Sequence, residues 1–384
     1  MRALIVYATI LSSIACASKD GADLAALPSP CKTAILKGQT IQLHDSPFSG
    51  AALAVMELPT STESSKLAIV ADSGLFLGTF RGDSISVTRL IARRGEAVGQ
   101  FLSLDAVSEG QNGEIVAFDR QLHRITRWGQ DGIVKQSFVL PLASRADRYL
   151  AGGGAIVVVT SRSGNEPYAP TVGELQSLDS LGYPDSVLAT FPSLVLHLVN
   201  GPEGSKFLAR PLEIQPMVRW STRYGWVIAS TDSLYIRLGS ARNPRIISGA
   251  GDRAPIDSYA KDSSIDAFVR STGAKEDGRA EARSFATTTF FHDRTDLQLI
   301  DDIVPLLDGR IAVRRMRLCG DRDGWNLLDS LGHPTGTIAV PHSFRAIMPL
   351  SNGILFEATG TKPLRLVKVS IPDVIARRSY SSSR

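Results

Sequence analysis

The sequence predicts an all-β fold, a six-bladed β-propeller of four-stranded antiparallel blades. Three observations predict it: short strands with tight turns dominate, a four-strand unit recurs, and the second strand of each unit is apolar on both faces. The unit is clearest in the second hundred residues. Ser103 to Val107 alternates, Glu114 to Asp119 is a compact apolar run, Arg124 to Trp128 alternates again, and Ile133 to Phe138 closes the set. Gly110 to Gly113, Asp119 to Leu122 and Gly129 to Gly132 separate these strands, as in an antiparallel meander.

Apolar second strands recur at Leu67 to Val70, Ala155 to Val159, Trp226 to Ala229, Ile311 to Val313 and Ile354 to Phe356. A strand apolar on both faces is expected where sheets stack against sheets on either side. These strands begin near Lys66, Glu114, Ala155, Trp226, Arg310 and Ile354. Three of the five intervals fit the roughly 40–50 residues of a four-stranded blade. The two longer intervals hold insertions. One carries an extra pair of apolar segments, Leu194 to Leu198 and Lys206 to Leu208; the other, near 257–290, reads as one or two short helices or as a solvated polar loop. Leu-Asp-Ser-Leu-Gly occurs at Leu178 to Gly182 and again at Leu328 to Gly332, each time before a strand, with Gly suited to the positive φ of a bulged hairpin loop. The last unit lacks a fourth strand, and Ala34 to Leu43 has no unit of its own. The N-terminal strand is therefore expected to close the ring and leave no open sheet edge.

The composition is that of a globular chain, 43% hydrophobic and 21% charged, with a formal net charge of +4 over 384 residues. Disorder, a multi-span membrane protein and nucleic-acid binding are disfavoured on those figures. Met1-Arg2 followed by the apolar stretch Ala3 to Ala15 has the form of a short signal-peptide core, below the roughly 20 residues of a membrane span. Ala15-Cys16-Ala17 suits ordinary cleavage after Ala17. Ser13 to Cys16 resembles the bacterial lipobox, with Cys16 the lipidated residue, although Ser13 stands where Leu is usual. A cytosolic chain with an apolar first strand is the remaining reading. The expected organisation is a signal peptide at 1–17, a linker at 18–32, the propeller at 33–372 and a polar tail at 373–384. The destination is the cell envelope as a lipoprotein, or the periplasm or medium as a free protein. Cys31 and Cys319 are either a disulfide, which export permits, or two independent thiols.

Leu90 to Phe101, reading LIARRGEAVGQF, resembles the RRGEGPGEF connector of secreted bacterial six-bladed β-propellers, relatives of the NHL and TolB-like propellers. Gly95, Gly99 and Phe101 are kept; Ala97, Val98 and Gln100 stand where that family has Gly, Pro and Glu. Gly38 to Ile41 is similar to the family's opening GDT strand. The resemblance spans roughly Thr33 to Pro372. It implies the fold and export, and no particular activity.

Linear catalytic motifs are absent. The six histidines (His44, His123, His197, His292, His333 and His342) form no HExxH or HxH pattern, and no GxSxG elbow occurs. Gly152 to Gly154 precedes a strand and reads as a tight turn rather than a phosphate loop. In a propeller, residues distant in sequence converge at the channel and at the loops of one face. The loops after the second strands carry Asp72, Asp119, Arg120, Ser161, Arg162, Asp232, Arg315 and Arg317. Asp119, Arg120, Arg162, Asp232 and Arg315 are the candidate binding residues, a cationic mouth for a carboxylate, sulfate or phosphate if they converge and a solvated rim if they do not. No cofactor is expected. Ca²⁺ would need oxygen ligands from several blades, for which Asp105, Glu109, Asp301 and Asp302 are the candidates. The leading reading is an exported monomeric scaffold that binds a small anionic ligand, a glycan or an envelope protein without catalysis. A metal-dependent lactonase or hydrolase is the alternative, and a purely structural envelope component the third.

Overall fold

A computed structural model describes residues 39–44, 54–58, 66–71, 73–81, 83–141, 148–162, 172–192, 196–201, 204–209, 216–221, 223–230, 235–239, 244–247, 254–255, 258–271, 276–290, 296–297, 300–319, 322–341, 343–350, 353–358 and 365–371. Strand β1 (Gln39–His44) precedes the first blade, β2 (Ala54–Leu58), β3 (Lys66–Ala71), β4 (Gly74–Arg81) and β5 (Ser84–Arg93). The second blade is β6 (Leu104–Glu109), β7 (Ile115–Asp119), β8 (Arg124–Trp128) and β9 (Val134–Val139), in the four segments the alternation marks. The third is β10 (Arg148–Gly152), β11 (Ala155–Arg162), β12 (Val172–Leu178) and β13 (Pro184–Pro192). The first insertion is an antiparallel hairpin, β14 (Leu196–Gly201) and β15 (Gly204–Ala209). The fourth blade is β16 (Met217–Ser221), β17 (Gly225–Ser230), β18 (Tyr235–Leu238) and β19 (Arg245–Ile247).

The second insertion joins the short strands β20 (Ala254–Pro255) and β21 (Asp296–Leu297) around helices α1 (Ser258–Ser271) and α2 (Glu276–Phe285). It is helical, as one of the two sequence readings has it; Ser264 before Ile265, Ala267, Phe268 and Val269 reads as a helix start, but α1 begins six residues earlier, at Ser258. Ile265 and Phe268 are buried, and Phe268 stacks with Phe285 at 6.3 Å between ring centroids, which holds the two helices together. The fifth blade is β22 (Ile300–Pro305), β23 (Ile311–Cys319), β24 (Arg322–Leu328) and β25 (Pro334–Pro341). The sixth is β26 (Phe344–Leu350), β27 (Gly353–Ala358) and β28 (Arg365–Ser370). Gln39 to Ile41 of β1 pair antiparallel with Leu366 to Lys368 of β28, and Gln42 to His44 pair in parallel with Ser84 to Ser86 of β5.

Each blade is a meander in strand order, and the first strands of successive blades contact one another around a ring, β26 meeting β2. The core is divided among the seams between blades. Leu75, Ile115 and Trp128 fill the seam of blades one and two; Phe118, Tyr149 and Val158 that of two and three; Leu175, Phe191 and Ile228 that of three and four. Ile236 and Ile303 join four to five, Trp325 and Phe356 five to six, and Leu67, Phe76, Met348 and Leu355 six to one. This is why the second strands are apolar on both faces: their odd and even residues enter different seams. Each fully buried Leu, Ile or Phe contributes about 1.5–3 kcal/mol.

Close approach between blades uses glycine where a Cβ has no room. The turn Gly153-Gly154 has φ of +60° and +79°, and a Cβ on Gly153 would lie 2.7 Å from the Trp220 ring of the next blade. The connector that carries the family resemblance is clamped by the second blade. Arg124 donates to the carbonyls of Glu96 (3.2 Å), Ala97 (3.0 Å) and Gln100 (2.8 Å), and the Trp128 indole donates to Gly99 O at 3.1 Å. Gln100 accepts from Ala97 N through Oε1 at 3.2 Å, so an amide oxygen serves where the related connectors have Glu.

Candidate functional site

The expected anion-binding residues do not all fall in the loops after the second strands: Arg120 stands in a turn, whereas Arg162 and Arg315 belong to the strands themselves. Asp119, at the end of β7, is only 3% exposed. Its carboxylate accepts from four backbone N–H groups, those of Leu102 (2.6 Å), Ser103 (3.3 Å), Gln121 (2.9 Å) and Leu122 (3.0 Å). It ties the start of β6 to the β7–β8 turn. Arg120 keeps 73% of its side chain exposed and donates through Nε to Asp105 at 2.5 Å. Arg162 and Arg315 lie in β11 and β23, Arg315 paired with Ile300 and Gly324 along the backbone, but their side chains lie outside the described residues, as Asp232 does entirely. Among the described side chains the loops thus present one exposed arginine that already has a carboxylate partner.

Three of the four acidic residues considered for Ca²⁺ have cationic partners. Asp105 is bound by Arg120. Glu109 accepts from Lys66 Nζ at 2.9 Å, and Asp302 accepts from Arg219 at 2.9 Å across the seam of blades four and five. The side chain of Asp301 lies outside the described residues. No three His, Cys, Asp or Glu side chains come together among the described residues. His123 and His333 occupy turns: His123 sits edge-on to Phe118 and Tyr149, and His333 Nδ1 is 3.2 Å from Asp329 Oδ2. Cys16 and Cys31, and the side chain of Cys319, lie outside the described residues.

The described residues do form a cleft elsewhere, at the seam of blades one and two. Deep in this seam Leu75, Leu77, Ile115 and Trp128 pack together. Toward the end of β4 and the start of β3 the apolar packing stops and the same faces become polar, because Thr79 follows Leu77 and Lys66 precedes Ala68 at the two-residue strand period, and the two pair across the strands. The opening, about 290 Å³, is lined by Lys66, Leu77, Gly78, Thr79, Thr88, Arg89, Glu109, Gly113, Ile115 and Gln130. A register shift in the β4–β5 pairing leaves Thr88 as the extra residue between Val87 and Arg89, and the bulge re-aims both side chains. Thr88 Oγ1 donates to Leu77 O at 3.1 Å. Gln130, in the β8–β9 turn, donates to Asn112 O at 2.9 Å, and its own backbone carbonyl accepts from Arg89. Gly113 (φ +72°) gives Gln130 its place, since a Cβ there would overlap the amide.

Lys66 and Glu109 face each other across the seam with 39% and 11% of their side chains exposed. Solvent screening limits such a pair to about 0–1 kcal/mol. Their charges offset each other, and Arg89, an exposed residue, is left as the uncompensated charge of the cleft among the described residues. The Thr79 hydroxyl has no hydrogen-bond partner among the described residues. The cleft combines two cations, one carboxylate, two hydroxyls and an amide over a small apolar floor, which suits reversible binding of a small polar anion. None of these residues announces itself in the sequence. Glu109 alone stood among the candidates, and then for a metal.

The architecture is that of a six-bladed β-propeller. No family model matches the chain, and no curated protein matches it in sequence. Among solved structures it is similar to a candidate exported protein from Bacteroides fragilis, at 12% identity and a TM-score of 0.52 over 88% of this chain and 96% of that one. It also aligns with a member of the DUF4221 family from Bacteroides vulgatus (7% identity, TM-score 0.47, 88% and 96% covered). An inactive virginiamycin B lyase from Staphylococcus aureus aligns at 12% identity and TM-score 0.33, over 83% and 89%. At such identities the likeness concerns the fold alone, and only the first is close enough to bear on it. No helix among the described residues is long and apolar enough to cross a membrane.

Proposed function

We propose that the protein is an exported, non-catalytic β-propeller that binds a small anionic ligand in the cleft between its first and second blades. The observation that carries this reading is the cleft itself: a polar opening of about 290 Å³ in an otherwise apolar seam, with Arg89 as its unneutralised cation. Export is supported by Met1-Arg2 and the apolar stretch Ala3 to Ala15, and by the description of the fold neighbour from Bacteroides fragilis as a candidate exported protein. Lipidation at Cys16 and free secretion after Ala17 differ by the mass of the mature N-terminus. Binding without turnover is supported by the site's chemistry, since Glu109 is held by Lys66 and, among the described residues, no histidine, thiol or activated hydroxyl lines the cleft.

Calorimetric titration with a panel of carboxylates, phosphates and sulfates tests the reading. Saturable binding that weakens about tenfold or more in Arg89→Met is expected, as for loss of a charge-assisted contact. Binding that Arg89→Met and Lys66→Met both leave unchanged would move the site elsewhere. Turnover of a lactone or ester by the pure protein would replace the non-catalytic reading.

A further inference from the structure

We infer that the ligand of this cleft is a monocarboxylate bearing several hydroxyls, a sugar acid of monosaccharide size; the inference rests on the binding reading above. Charge sets the first requirement. Lys66 and Glu109 offset each other at 2.9 Å, so the lining carries one net positive charge, that of Arg89. A guanidinium has five N–H donors in a planar fork. The only one used among the described residues goes to Gln130 O, which leaves donors for both oxygens of a carboxylate.

The hydrogen-bonding groups left over set the second requirement. The Thr79 hydroxyl is unpartnered among the described residues. The Thr88 hydroxyl donates to Leu77 O and keeps its acceptor lone pairs. Gln130 uses its amide nitrogen on Asn112 O and keeps its amide oxygen as an acceptor. Lys66 Nζ has two N–H donors beyond the one given to Glu109. Such a mixture of donors and acceptors matches hydroxyl groups, each of which donates and accepts. Leu77 and Ile115 form a small apolar floor that suits the C–H face of a sugar ring.

Size and shape set the third. Among the described residues no aromatic side chain lines the cleft, so nucleobases and aryl acids would find nothing there to stack on. Its volume, about 290 Å³, lies just below the roughly 300–1,000 Å³ of small-molecule sites and fits one sugar unit rather than a chain.

The test is calorimetric titration of the full chain at low ionic strength with glucuronate, galacturonate and gluconate. Glucose supplies the hydroxyls without the charge, acetate the charge without the hydroxyls, and sulfate a charge of different shape. At least one sugar acid is expected to bind about tenfold or more tighter than glucose, acetate or sulfate. Arg89→Met should lower the sugar acid to the level of glucose. Thr79→Val should weaken the sugar acid severalfold and leave acetate unchanged. Glucose binding as tightly as the sugar acids, or Thr79→Val having no effect, overturns the sugar-acid inference while a small-ligand site remains. Sulfate binding tightest with dependence on Arg89 keeps the anion reading and overturns this one. If none of the probes binds, the inference falls, and the wider panel of anions above decides the binding reading separately. Unchanged melting of each variant confirms that a lost heat signal reflects binding and not folding.

Discussion

Asp119 shows how a residue of functional appearance serves the turn in which it stands. A carboxylate at the end of a second strand reads as a ligand group, yet the same residue type is the natural acceptor for the N–H groups of a following turn. With four backbone donors on its two oxygens, Asp119→Ala is expected to cost about 2–3 kcal/mol in urea denaturation, and Asp119→Asn less, because one side-chain oxygen still accepts. Neither should alter binding in the cleft. Tyr235 offers a second residue-scale expectation. Burial pushes its phenol above the usual 10.0, against the opposing pull of the Arg237 charge and the hydrogen bond from Arg237. With the folded value above the unfolded one, the contribution is fully present below about pH 10 and is lost as pH rises through the folded value. Stability measured from about pH 9 to 11 should therefore fall, and Tyr235→Phe should flatten that decline. Neither the four donors on Asp119 nor the burial of Tyr235 is legible in sequence, because both depend on neighbours brought in by other strands.

At the scale of the element, turns were the most legible part of the chain. Gly182 and Gly332 adopt φ of +86° and +89°, as the repeated Leu-Asp-Ser-Leu-Gly segments lead one to expect. Asp179 and Asp329 close their loops alike, Asp179 accepting from Leu181 N and Tyr183 N, and Asp329 from Leu331 N and His333 N. Two substitutions separate a glycine required by conformation from one that is not. Gly153→Ala must hold an L-residue at φ +60° with its Cβ against Trp220, and should cost about 2 kcal/mol or more in thermal or chemical melts. Gly336→Ala places its Cβ 3.6 Å from Leu327, an ordinary contact, and should leave stability unchanged or raise it by a few tenths of a kcal/mol. Helix α1 was less legible. Its first turn, from Ser258 to Lys261, lacks the apolar spacing that marks Ile265 and Phe268, so the start signal at Ser264 falls six residues inside the helix.

At the scale of the molecule, the apolar second strands make six blades countable from the sequence alone. The long intervals proved to be a hairpin and a helical pair inserted between ordinary blades. The cleft was not countable in this way. Its lining comes from β3, β4, β5, β6, β7 and two turns, and only the stacking of the first two blades brings them together. The pairing of β1 with both β28 and β5 carries a whole-molecule expectation. A chain beginning after His44 exposes the edge of β28 and should melt at lower temperature and associate through that edge. Melting and monomer content unchanged from the full chain would mean that the ring holds without this strand.

The tryptophans already placed at the seams make the molecule its own optical probe. Trp128 packs between the first and second blades, Trp220 lies over the glycines of the third from the fourth, and Trp325 meets Phe356 between the fifth and sixth. Three alternate seams of the ring thus carry indoles whose emission would shift as water entered, the third-to-fourth seam two of them, since Trp226 packs there with its ring centroid 5.1 Å from that of Trp220. Variants retaining one of them at a time would report, without any added dye, which junction parts first on heating.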